Sequence, residues 1–203
     1  NSGTQTLNIA FSGQSDITGS VFADDSTVLV DAIDAKIIGP VDTTSLRTSD
    51  DAIILGNGAT AGAEAVSIGK NAGDSGDYSQ AIGNNAGNTG QGVAAVALGS
   101  QSGETSQGDK AVAVGQYAGQ TSQSGNAIAI GEASGKTTQG SDAVAIGRLA
   151  GWSSQGASAI AIGYTAGKTS QGDDAVAIGD DAGETNQGAQ SIAIGDEAGQ
   201  TNQ

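Results

Sequence analysis

The side chains able to do chemistry in this chain are carboxylates and hydroxyls, for it holds no His, no Cys and no Met. Thiol nucleophiles, imidazole bases, disulfides and soft-metal sites are therefore excluded. Asp173, Asp174, Asp180 and Asp181 lie close enough in sequence to offer oxygen ligands to Ca²⁺, but the nonapeptide calcium-roll pattern is missing. Solvating charge at turns is the plainer reading, and no catalytic, cofactor-binding or metal-ligating residue is assigned. A hydroxyl column, Thr89, Thr105, Thr121, Thr137, Thr169, Thr185 and Thr201, recurs at a step of 16 and breaks at Ser153. Flat threonine arrays order water, which is ice-binding chemistry; the partner residue here is Gln instead of Thr, so this stays a remote reading. Aromatic residues are one Trp, three Tyr and two Phe. Tyr117, Leu149, Trp152 and Tyr164 gather bulky groups at variable positions of nearby units, and exposed rings of this kind stack on the apolar faces of sugars. They form the candidate surface-recognition patch, with packing over adjacent turns as the structural alternative.

The elements that position these residues repeat. Gly83, Gly99, Gly115, Gly131, Gly147, Gly163, Gly179 and Gly195 follow one another every 16 residues, each closing a phrase such as Ala143-Val144-Ala145-Ile146-Gly147. A second glycine stands four residues later, as at Gly151 and Gly167, and Gln91, Gln107, Gln123, Gln139, Gln155, Gln171, Gln187 and Gln203 keep the same step. Strict self-similarity of this kind marks stacked identical coils. The apolar spacing is 2, and a helical hairpin repeat needs roughly 30 residues or more. The expected fold is all-β, a parallel β-solenoid of about ten short coils. Gly147 and Gly151 are expected at a bend that requires positive φ. A phosphate-cradling role is disfavoured because no basic residue recurs beside them and no strand runs into a helix. The Gln column reads as a stacked hydrogen-bond ladder or a cap for turn amides.

Along each strand Val and Ile alternate with Ala, so the branched residues share one face and the alanines the other. Both faces are then apolar, as in parallel strands buried on two sides. The constant alanine size assigns the second face to a close neighbour. Two branched side chains per coil bury little against the entropy of ordering sixteen residues. An obligate homo-oligomer follows, most simply a parallel side-by-side trimer with Ala113, Ala129, Ala145, Ala161, Ala177 and Ala193 at its interface. Stacked at about 4.8 Å per coil, ten coils make a rod of roughly 50 Å.

Three zones divide the chain. Residues 1–40 lack the repeat and read as a β-rich cap or attachment segment, with Leu7, Ile9 and Phe11 alternating and Val28 to Val30 following a turn at Asp24-Asp25-Ser26. Residues 41–51 are a polar linker after the lone Pro40. The solenoid occupies 52–203 and opens with shorter steps, 13 residues from Gly56 to Gly69 and 14 from Gly69 to Gly83. The first zone is expected to cover the open end of the solenoid, which otherwise presents unpaired strand edges. The formal net charge of −15 opposes nucleic acid and anionic membranes as partners. No run of about 20 apolar residues predicts membrane insertion, and no basic-start signal peptide is recognisable. A start without Met and an end at the close of a repeat lead to the expectation of a segment from a longer protein.

The stretch Leu55-Gly56-Asn57-Gly58-Ala59-Thr60-Ala61-Gly62-Ala63-Glu64-Ala65-Val66-Ser67-Ile68-Gly69 resembles the head repeat of YadA-like trimeric autotransporter adhesins, and the later units are similar to that repeat lengthened by a Thr-x-Gln insertion. The resemblance covers roughly Ala52 to Gln203. It implies a left-handed parallel β-roll with three chains side by side. The Asn-Ser usual before the strand in that family is kept only loosely, as in Gly125-Asn126 before Ala127. A second stretch, Asp16 to Asp31 followed by Lys36-Ile37-Ile38-Gly39-Pro40-Val41, resembles a segment of marine bacteriophage tail-fibre and structural proteins.

Together the two resemblances imply a non-enzymatic trimeric fibre module, a phage tail-fibre or virion appendage segment for host-surface attachment, extracellular or on the virion surface. A bacterial adhesin head or a passive structural spacer are the alternatives. The expected partners are copies of the chain itself and a glycan or protein receptor on the host surface. An enzyme is the least expected class, because uniform units leave no cleft for clustered acids and bases.

Overall fold

The structure is a computed structural model that describes residues 21–22, 28–31, 36–37, 52–73 and 76–203. The chain divides into two compact units, Asn1–Leu46 and Arg47–Gln203. In the first, Val21–Phe22, Val28–Asp31 and Lys36–Ile37 form an antiparallel sheet with Val28–Asp31 in the centre. The strand expected around Leu7, Ile9 and Phe11 and the linker at 41–51 lie outside the described residues, as does most of the segment expected to cap the solenoid.

The second unit is a parallel β-solenoid of about nine turns, with no helix among the described residues. Ten strands of three residues, from Ile53–Leu55 to Ile192–Ile194, stack in chain order to form the first sheet. Six more, from Thr89–Gln91 to Thr169–Gln171, make the second sheet, which continues by single bridges to Thr185 and Thr201. The constant 16-residue step is what allows this stacking. Val112, Ala113 and Val114 pair with Ile128, Ala129 and Ile130, so every residue meets its own equivalent one coil on. The 13- and 14-residue steps pair Ile53 with Val66 and Val66 with Gln80 in the first sheet. Among the described residues no second-sheet strand precedes Thr89, which agrees with the lack of a Thr-x-Gln phrase in those shorter coils.

The facing of the strands differs from expectation. Ala113, Ala129, Ala145, Ala161, Ala177 and Ala193 are at most 1% exposed within a single chain, so they line the interior and offer no surface to a neighbour. The flanking Val and Ile point outward and remain partly or fully exposed, as in Val144–Ile146 and Ile192–Ile194. The reason is the narrowness of the roll. A Cβ placed on Gly151 would lie 3.2 Å from the Ala145 methyl and 2.7 Å from Oε1 of Gln155. One methyl, one absent side chain and one amide fill the section, and a branched residue turned inward would collide. Corner alanines complete the core, with Ala150, Ala166 and Ala182 packed against Ala145, Ala161 and Ala177. Where the equivalent corner is Ser102 or Ser134, the hydroxyl donates to the carbonyl of Gly99 or Gly131 and stays satisfied.

Glutamine joins the two sheets. From the second sheet the buried Gln139 donates through Nε2 to the carbonyls of Ile128 at 2.8 Å and Ala143 at 3.3 Å, and its Oε1 accepts from Gln123 at 3.1 Å. The same contacts recur at Gln123 and Gln171, and Gln107 makes the donations to Val96 and Ala111. The column is therefore a ladder, and it binds strand carbonyls as well. It is interrupted where Oε1 of Gln91, Gln107 and Gln155 has no partner. Gly151 has φ +51° and its missing side chain makes the room that Gln155 occupies. Gly131 has φ +125°, and a Cβ there would sit 2.7 Å from the carbonyl oxygen of Gly147 on the next coil. Both the bend and the close approach thus demand glycine.

Each 16-residue coil from Gly99 on also holds three non-glycine residues in left-handed conformation, for example Leu149 at +60°, Ser154 at +58° and Ser158 at +55°, and the coil from Gly83 holds two with Gly90 in the third place. The first and third turn corners and the second is the middle residue of the second-sheet strand, at about 1 to 2 kcal/mol each for an L-residue. Two stability predictions follow from these features, with opposite signs. Gln139→Ala removes two hydrogen bonds that join the sheets and opens a void, and should lower unfolding free energy by about 2 to 5 kcal/mol in chemical denaturation. Thr138→Asn replaces a β-branched residue at φ +56° with one that tolerates that conformation, and should raise it by about 0.5 to 1 kcal/mol.

Candidate functional site

Variation between coils is concentrated at the corners, and one corner carries the bulky residues. It lies between the glycine closing a first-sheet strand and the start of the next second-sheet strand. Tyr117 and Leu149 occupy the second place after that glycine, Tyr164 the first and Trp152 the fifth. Backbone bonds hold them in the stack: Tyr117 N–H donates to Ser100, Leu149 N–H donates to Glu132, and the Trp152 carbonyl accepts from Thr137. All four expected patch residues therefore share one edge of the solenoid. Tyr117, Leu149 and Trp152 are half-buried, whereas Tyr164 is 46% exposed.

Cations stand beside the rings. Lys136 Nζ is 5.2 Å from the centroid of Tyr117 and the Arg148 guanidinium is 5.4 Å from that of Tyr164, both within cation–π range. Lys136, Trp152 and Lys168 hold the equivalent fifth place on three successive coils. Arg148 pairs through Nε with Glu132 at 3.3 Å, and Lys168 Nζ with Glu184 at 2.9 Å. These cations were not singled out from sequence, although the repeat register contains the signal. Arg148 and Tyr164 are 16 apart, and Lys136 follows Tyr117 by 19.

The acidic residues are spread over different corners. Asp173 accepts from the backbone N–H of Ala157 at 2.8 Å on one corner, and Asp181 accepts from the Thr165 hydroxyl on the other. Among the described residues no group of three or more His, Cys, Asp or Glu is placed to hold a metal ion. The threonine column lies on the second sheet, in register from Thr105 through Thr121 and Thr137 to Ser153, with Thr105 and Thr121 exposed and Thr137 partly so.

No family model, curated protein or solved structure matches this chain. The edge is therefore read from its own chemistry: ring faces and cations held a coil apart, over a core that does not depend on them. Removing an exposed member should cost little stability. Tyr164→Ser is expected to change unfolding free energy by less than about 1 kcal/mol, whereas half-buried Trp152→Ser should cost about 1 to 2 kcal/mol. Thermal melts of the two variants measure the difference.

Proposed function

We propose that this chain is a non-enzymatic module of a trimeric fibre, a phage tail-fibre or virion appendage segment that projects to a host surface. The observation that carries the reading is the outer face of the ten-stranded sheet. Val112, Ile128, Val144, Ile160 and Val176 run along it as one column, and Val114, Ile130, Ile146, Ile162 and Ile178 as another. Ile130 is 39% exposed and Ile194 at the end of the column 64%. Parallel sheets are ordinarily covered on both faces, and a continuous aliphatic strip of this length marks an association surface. A flat strip repeating at each coil is complementary to the same strip on another copy running in parallel. Three copies meeting along it, left-handed and side by side, is the arrangement that the resemblance to the adhesin head repeat implies; the resemblance at Asp16 to Val41 favours a phage fibre over a bacterial adhesin.

The assembly contact thus moves from the alanines to the Val and Ile columns. Light scattering of the native protein is expected to give three chain masses. Ile130→Glu with Ile146→Glu should yield a folded monomer, because the charges stand on the outer face. Ala145→Glu should instead unfold the roll, since it buries a charge in the interior. A wild-type native monomer would remove the trimeric reading.

A further inference from the structure

The chain has 7 Lys and Arg against 22 Asp and Glu, yet the edge that carries the aromatic residues inverts this balance. Over its four corners at 115–120, 131–136, 147–152 and 163–168 the charged residues are Lys136, Arg148 and Lys168 against Glu132, a local sum of +3 − 1 = +2. The next coil brings Asp180, Asp181 and Glu184, and the preceding one Glu104. The positive zone is thus bounded at both ends. It supplies one cation per coil on three successive coils, stepped by about 4.8 Å. Every aromatic residue of the solenoid except Tyr78 lies in this same zone. Solvation alone gives no reason for cations and rings to coincide.

We propose that this edge binds an anionic polysaccharide laid along the solenoid axis. Tyr164 and Trp152 offer ring faces to the apolar faces of its sugars, and Lys136 and Arg148 meet its carboxylate or sulfate groups, while Lys168 at the edge of the zone is held by Glu184 at 2.9 Å. The Arg148–Glu132 pair is exposed on both sides, 55% and 56%, and a pair in water costs little to open for an incoming anion. Cations one coil apart suit a polymer with about one charge per sugar. Duplex nucleic acid, with one charge per roughly 1.7 Å, overfills these cations and runs into the flanking carboxylates. The proposal rests on the reading of the chain as a surface-contacting module and names the chemistry of the surface.

The test measures binding of the full chain to alginate, dextran sulfate, neutral dextran and duplex DNA. The expected result is binding to alginate or dextran sulfate that weakens as salt rises and exceeds that to neutral dextran and DNA by about tenfold or more. Alginate against dextran sulfate separates a carboxylate from a sulfate ligand. Arg148→Gln and Lys136→Gln should each weaken it about 3- to 10-fold, and Tyr164→Ser comparably, while Lys110→Gln on the opposite corner changes it less than about twofold. Absence of binding to both anionic polymers, equal binding to neutral dextran or DNA, or an equal loss at Lys110→Gln would overturn the proposal. Light scattering on the same samples keeps the two readings apart: a trimer that binds neither polymer overturns the ligand and leaves the fibre, and a monomer that binds leaves the ligand and overturns the trimer.

Discussion

The interior of the roll is one amide and a few methyl groups wide, and the rest of the architecture depends on that width. Gln155 reaches across from the second sheet to the carbonyls of Val144 at 2.9 Å and Ala159 at 3.3 Å. It fits because Gly151 has no side chain and Ala145 has only a methyl. Interior amides are costly unless they are bonded. Here each amide donates to carbonyls that also accept from the backbone, as Ala159 does from Val144 N–H at 2.8 Å, so the ladder ties the two sheets together in a way that alanine packing alone could not. Substituting any of the three residues disturbs the other two.

Width also decides what faces water. Branched aliphatic residues have no room inside, so two columns of them stand on the outer face of the first sheet. A strip of that kind needs cover, and parallel copies of the same strip provide a surface of matching period. The roll therefore separates its tasks by face. Amide and methyl contacts hold a chain together, the aliphatic columns stand on the outer face of the first sheet, and the remaining corner positions take varied residues.

That freedom has a conformational component. The corner positions of Tyr117 and Leu149 are left-handed, both at φ +60°, and neither residue belongs to the buried core. Bulk, charge and aromatic character can be exchanged there at small cost to the fold. In this chain the exchange produces a bounded zone of rings and cations on a molecule of net charge −15. Since coils stack in register, residues 16 or 19 apart become neighbours, and a linear polymer running along the axis meets them in order.

Periodicity made much of this readable in advance. The 16-residue step determined the parallel coils, the register of Val112 on Ile128, the glycine bends at Gly147 and Gly151 and the stacking of the glutamines, because a repeat can pair with itself in register in only one way. Period-two alternation established that Val144 and Ile146 share a face and that Ala145 takes the other, but alternation is symmetric and does not say which face is inside. Only the distance between the two sheets decides that. It depends on how Gln155 crosses a gap left open by Gly151, a contact between elements that no local pattern encodes. The same holds for Lys136 over Tyr117 and Arg148 over Tyr164: the spacing is written in the chain, but ring and cation meet only once the coils are stacked.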